Sequence, residues 1–80
     1  MKVIEESELL STREKELIAI ALSVMAQCKW CIFFHVKLAL EAVAKPEEIR
    51  EAAWVAVLMG EEPQLACMQL VEKALEEFTS

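Results

Sequence analysis

No stretch of this chain alternates apolar and polar residues with a period of two, whereas apolar residues recur at helical spacing through most of its 80 positions. Turn dipeptides typical of hairpins are absent. There is one Gly, there are two Pro, and Tyr is missing altogether. The pattern predicts an all-α fold: a small antiparallel helical domain, single over residues 1–80, with its core at about residues 11–78.

Four helices are expected. Ser11-Thr12-Arg13-Glu14 fits a capping box, in which the Ser hydroxyl and the Glu carboxylate satisfy free backbone N–H groups reciprocally. Leu17, Ile18, Ile20, Ala21, Leu22, Val24 and Met25 then wrap most of the helix, predicting burial nearly all round. Nothing at Ala26-Gln27 breaks a helix, yet an uninterrupted helix over residues 12–44 would far exceed the usual length of about 11–12 residues, so a break is placed at Ala26–Cys28. The second helix runs to about Val43 or Ala44. Lys45-Pro46-Glu47-Glu48 restarts the chain, with Pro in the first turn and two Glu at the positive end of the helix dipole. The third helix ends at Gly60. Glu61-Glu62-Pro63 opens a fourth, with Leu65, Met68, Val71 or Glu72, Leu75 and Phe78 along its stripe and a Glu-rich solvated face.

A domain near this length buries only about 60% of its unfolded surface. Because 56% of the residues are hydrophobic, the apolar surface exceeds what a small monomer can hide, and a homo-oligomer is expected. Trp30 and Trp54 read as core or subunit anchors, or as walls of a pocket, with packing preferred. Phe33 and Phe34 point to different faces, which sends at least one toward a neighbouring subunit. The formal charge of −6 comes without a basic stripe, which argues against nucleic acid as partner and does not favour anionic membranes. The longest uncharged run, Leu17 to Cys28, is too short to span a bilayer. Met1-Lys2-Val3-Ile4 leads straight into Glu5 and Glu6 with no secretory pattern, so a cytoplasmic location is expected. The cysteine count, 3, is odd, which argues against a secreted disulfide framework. In a reducing cytosol a close Cys pair is more often catalytic, redox-sensing or metal-binding than structural.

That pair lies in Cys28-Lys29-Trp30-Cys31-Ile32-Phe33-Phe34-His35, which also holds the chain's single histidine. A helical residue advances about 100°, so Cys31 lies at about −60° and His35 at about −20° from Cys28, on one narrow stripe. If the helix begins near Cys28, both thiols sit in its first turn, where free N–H groups stabilise a thiolate, and Lys29 adds positive charge. Cysteines three apart on a helical turn have Cα atoms close enough for a disulfide. His35, one turn beyond Cys31, is placed to take that thiol's proton. Folding the chain back near residue 27 brings Glu16 beside the Cys31–His35 level, which makes a Glu–His–Cys relay geometrically reasonable. Three readings of the cysteines stand side by side: a redox pair, two small buried hydrophobes, or zinc ligands together with His35 and Cys67. The redox reading is preferred, with Cys67 a core residue packed with Ala66 and Leu70. The thioredoxin form of this motif needs a βαβ pattern that the chain lacks.

The sequence resembles the carboxymuconolactone decarboxylase family, and within it the alkylhydroperoxidase D-like branch. The resemblance runs from about Ser11 to Ala66 and is carried by Arg13-Glu14-Lys15-Glu16-Leu17-Ile18-Ala19, by the Cys28–His35 stretch, by Glu47-Glu48-Ile49-Arg50-Glu51-Ala52 and by Val55-Ala56-Val57-Leu58-Met59-Gly60. It implies an all-helical domain that assembles as a trimer or hexamer, with an active site made of a Glu, a Cys-x-x-Cys pair and a His. Glu16, Cys28, Cys31 and His35 match those positions. Where the best-studied members have a second His just before the second Cys, this chain has Trp30. The implied activity is antioxidant: thiol-based peroxide reduction, or disulfide exchange with a partner protein, regenerated by an external dithiol reductant and using no cofactor and no metal. Two rivals remain. One is a decarboxylase-like lyase using His35 and Glu16 in acid–base chemistry, a branch that does not depend on the Cys pair. The other is a non-enzymatic helical oligomer with a structural or zinc-bound pair.

Overall fold

A computed structural model describes residues 9–79; the Met1–Glu6 stretch read above for a secretory pattern lies outside them. Among the described residues five helical segments follow one another: α1 (Thr12–Met25), α2 (Lys29–Glu41), α3 (Pro46–Gly60), α4 (Glu62–Ala66) and α5 (Met68–Thr79). No strand occurs among the described residues.

The capping box at the start of α1 is present in both directions. Glu14 N–H donates to Ser11 Oγ at 3.0 Å, and Ser11 N–H donates to Glu14 Oε1 at 2.9 Å. These bonds, the backbone one first, hold the exposed Glu14 carboxyl below its ordinary pKa. At α3 the expected restart is also seen, with Pro46 in the first turn and Glu48 Oε1 accepting Lys45 N–H at 2.8 Å.

The connections α1–α2 and α2–α3 use one device twice. Cys28 N–H donates to Ser23 O and Gln27 N–H to Val24 O; Ala44 N–H donates to Ala39 O and Val43 N–H to Leu40 O. Each is a Schellman turn, which needs a left-handed residue just past the helix end, a place usually taken by Gly. Here it is taken by Gln27 at φ 55 and Val43 at φ 62.

α1 packs most extensively on α3 and α2, and α2 also packs on α5. The core they share is built on Ile20, Val24, Ile32, Val36, Ile49, Val71 and Leu75, with Ala39, Ala53 and Ala74 letting helix backbones approach. Burying each large side chain contributes about 1.5–3 kcal/mol. Phe33 meets Phe78 edge to face, ring centroids 6.4 Å apart. Two ion pairs at 2.7 Å brace the outside, Arg13 to Glu48 between α1 and α3, and Arg50 to Glu72 between α3 and α5.

Four expectations need correction. α2 stops at Glu41, short of Val43, because the Schellman turn takes over. The fourth helix is split at Cys67, where a three-residue bond from Cys67 N–H to Gln64 O tightens the turn; the predicted stripe is buried at Met68, Val71 and Leu75, with Val71 rather than Glu72 its middle member. α1 is not buried all round: Ile18, Leu22 and Met25 are exposed. Trp30 and Trp54 are not core residues, since Trp30 is 79% and Trp54 48% exposed.

Candidate active site

Cys28 belongs to two helices at once. Its N–H closes α1 through Ser23 O, and its side chain opens α2 as the N-cap, accepting Cys31 N–H on Sγ at 3.3 Å. The left-handed Gln27 creates this double position, because it reverses the chain within the short Ala26–Cys28 link. Both cysteines thus stand at the start of α2, Cys28 at the cap and Cys31 in the first turn. Their Cα atoms are 5.3 Å apart and their sulfurs lie within disulfide-bonding distance, inside the Cα spacing that a disulfide needs. In a reduced pair, an N–H on Cys28 Sγ with the positive end of α2 behind it would favour that sulfur in its anionic form.

His35 sits one turn beyond Cys31, in the second turn of α2. Glu16 occupies the second turn of α1. From Glu16 to the reversal is roughly 15 Å of helix and from there to His35 roughly 10 Å, so the hairpin leaves the two about one turn apart along the helices and their side chains span the difference. His35 Nδ1 donates to Glu16 Oε1 at 2.7 Å. Both side chains are largely withdrawn from solvent, 28% and 18% exposed. A carboxylate only accepts, so this bond puts the proton on Nδ1 and leaves Nε2 as the basic nitrogen. The Phe34 ring stands edge-on to the imidazole at 5.2 Å between centroids.

Two open grooves lie along α2, and of the site residues only Glu16 lines one of them. One, of about 570 Å³, is lined by Ser11, Arg13, Glu16, Leu38 and Glu41 and gives Glu16 a route to solvent. The other, of about 620 Å³, runs along Lys29, Trp30, Phe33, Leu70 and Lys73, between α2 and α5, and is lined by neither cysteine. Lys29 Nζ lies 5.7 Å from the Trp30 ring centre, a cation–π contact. Trp30 is therefore a groove wall.

Cys67 is buried, with Sγ directed at Pro63 O at 3.9 Å. It does not join the other two cysteines. Among the described residues no three His, Cys, Asp or Glu side chains are gathered where one metal ion could be held, which removes the four-ligand zinc arrangement. Among those residues, too, no helix is long and apolar enough to cross a membrane. Two polar residues carry no mark in the sequence yet are buried: Ser23, whose Oγ donates to Ala19 O at 2.7 Å, and Gln64, whose Nε2 donates to Met25 O at 3.1 Å. Only their places within apolar stripes could have singled them out.

Comparison with known proteins gives consistent results. The model of the carboxymuconolactone decarboxylase family matches residues 1–73. The uncharacterized protein 4 in the cox locus of Paracoccus denitrificans is 47% identical over 58 residues, 72% of this chain and 52% of that protein. An uncharacterized protein of Cupriavidus necator is 36% identical over 63 residues, 79% of this chain and 56% of that protein. The chain thus spans about half the length of these curated relatives. Among solved structures, the apo form of a carboxymuconolactone decarboxylase family protein from Legionella pneumophila superposes with a TM-score of 0.92 at 37% identity, covering 99% of this chain and 70% of that one.

Proposed function

Because the chain belongs to the carboxymuconolactone decarboxylase family, we propose that it is a thiol-dependent oxidoreductase of the alkylhydroperoxidase D-like kind, reducing peroxide or exchanging disulfides with a partner protein. The observation that carries the reading is the conjunction on one hairpin of a bonding-distance Cys pair and a His held by a Glu.

In the reduced enzyme His35 Nε2 takes the proton of the Cys31 thiol, while Glu16 stabilises the imidazolium that results. The Cys31 thiolate attacks a peroxide oxygen. An S–O bond forms, the O–O bond breaks, and the departing alkoxide leaves as alcohol with the proton from His35. Cys28 then attacks the sulfenic sulfur; an S–S bond forms and water leaves. An external dithiol reduces the Cys28–Cys31 disulfide and is itself oxidised to a disulfide. With a partner disulfide in place of peroxide, the same thiolate opens it through a mixed disulfide. The position of Cys28 Sγ on the Cys31 N–H favours it as the leaving sulfur when the pair is reduced again. The work suits a reducing compartment, the cytoplasm. The exposed apolar side chains of α1 and α3 support assembly into a trimer or hexamer.

The test is a free-thiol count with and without stoichiometric peroxide on the native protein, alongside its mass. Loss of two thiols with a mass decrease of two hydrogens, abolished by Cys28→Ser or Cys31→Ser, is the expected result. Unchanged thiols with both peroxide and small-molecule disulfides would remove the oxidoreductase reading.

A further inference from the structure

α4 reaches the cysteine turn through one side chain. Gln64 is 6% exposed, and its amide nitrogen donates to Met25 O, across 39 positions of sequence. The carbonyls in the last turn of a helix have no partner within it. At the end of α1, those of Leu22, Ser23 and Val24 are taken by the backbone N–H groups of Ala26, Cys28 and Gln27. The carbonyl of Met25, the last helical residue, is taken by Gln64.

The bond comes with a penalty. Gln64 Oε1 is buried without a donor, and the amide cannot be turned round, because Met25 O only accepts. Gly60 at the end of α3 makes the room: a Cβ there would collide with the Gln64 side chain. A methionine would fill a similar volume and leave no orphaned oxygen. What the amide adds over an apolar side chain is one donor, directed at the turn that carries Cys28.

We infer that Gln64 is a positioning residue for the cysteine pair: by holding Met25 O it fixes the Ala26–Cys28 turn, keeps Cys28 Sγ on the Cys31 N–H, and so sets how readily Cys28 ionises. The role rests on the redox reading of the pair given above. A thiolate accepts that N–H more strongly than a thiol does. The 3.3 Å contact is seen with the two sulfurs at bonding distance; once the pair is reduced the turn alone keeps it, and a turn released from Gln64 loses it for part of the time, so that the thiol keeps its proton to higher pH.

The experiment follows alkylation of Cys28 by iodoacetamide in the reduced full chain across pH, read on the Cys28 peptide by mass. Gln64→Met removes the donor and keeps the volume, and Gly60→Ala displaces the amide without touching it. Both should slow alkylation near neutral pH about two- to fivefold and move its midpoint upward. Val71→Ala, which weakens the core on α5, should follow the unaltered protein. Midpoints in the two variants equal to the unaltered one, or a shift of equal size in Val71→Ala, would overturn the role. In the unaltered protein the Gln64 side-chain amide signals should differ between the oxidised and reduced states; identical signals would also overturn it, whether or not the variants fold. Alkylation needs no peroxide. A shifted midpoint in a pair inert to peroxide and disulfides would therefore leave Gln64 its role and remove only the oxidoreductase reading.

Discussion

His35 Nδ1 and Glu16 Oε1 lie 2.7 Å apart, joining the second turn of α2 to the second turn of α1 across a hairpin whose bend carries Cys28. With Glu16 ionised, the contact favours the imidazole tautomer that carries its proton on Nδ1. His35→Ala should slow peroxide-driven thiol loss by about 10²-fold, the low end of what a positioned base supplies. Glu16→Gln keeps a hydrogen bond but lets the ring choose its tautomer, and a smaller loss, about tenfold, is expected. Stopped-flow loss of free thiol measures both, and circular dichroism should show an unchanged helix content.

Of the three non-glycine residues at positive φ among those described, Gln27, Val43 and Glu61, the first two stand in the Schellman turns and store strain that glycine would release. An L-residue in this conformation costs about 1–2 kcal/mol, and glycine's extra freedom in the unfolded chain takes back about 0.4–1 kcal/mol. Val43→Gly should therefore stabilise the domain by up to about 1.5 kcal/mol, since a β-branched residue fits φ 62 poorly. Gln27→Gly should gain less. Urea unfolding decides this. A loss of stability in Val43→Gly would mean that its side chain, 82% exposed in the protomer, is held by something else.

Those same two positions show what could and could not be seen in the sequence. Ser11 with Glu14, and Lys45-Pro46 with Glu48, are local chemistry: the groups that make the bonds sit three residues apart, so both helix starts were legible. Gln27 and Val43 are not. The usual signal for such a reversal is Gly, and here the turn is enforced by packing of α1 on α2 and α3, which no local pattern records. The Cys28, Cys31 and His35 stripe followed from helical angle alone. Placing Glu16 beside it needed the hairpin. Gln64 was invisible because its partner is the backbone of Met25. The burial predicted for all of α1 failed for a related reason: Ile18 and Leu22 are apolar as a core residue would be, and nothing in the sequence says that the rest of the chain must cover them.

The capping box of α1 carries a pH signature. The Glu14 carboxyl lies below its ordinary value of 4.5, through its bond to the Ser11 backbone and then to the Ser11 side chain. A group whose pKa is lowered by folding contributes stability that is present above 4.5 and is lost as pH falls through the lowered value. Glu14→Gln should therefore be less stable than the unaltered protein at neutral pH, with the gap closing in acid. Ser11→Ala removes the reciprocal bond and should cost about 1 kcal/mol at neutral pH. Chemical unfolding at a series of pH values tests both, and a gap that stays constant into acid would contradict the assignment.

The exposed apolar stretch on α3 gives the last prediction. Leu58 is 78% and Met59 73% exposed in the protomer, and Trp54 and Val55 continue the face one turn earlier. None of these side chains is among those that build the core, so a charge placed there touches no buried packing within the chain. If the face is where copies of the chain meet, the energy gained by covering it is lost when a carboxylate is placed at its centre, because a desolvated and unpaired charge is costly. Leu58→Glu should then keep its helix content and lower the mass seen by light scattering to that of a single chain. Apolar area would also be newly open to water, so a dye that fluoresces on apolar surface should bind the variant more than the parent. A parent protein already of single-chain mass at micromolar concentration would sink the assembly on this face, as would a Leu58→Glu variant of unchanged mass.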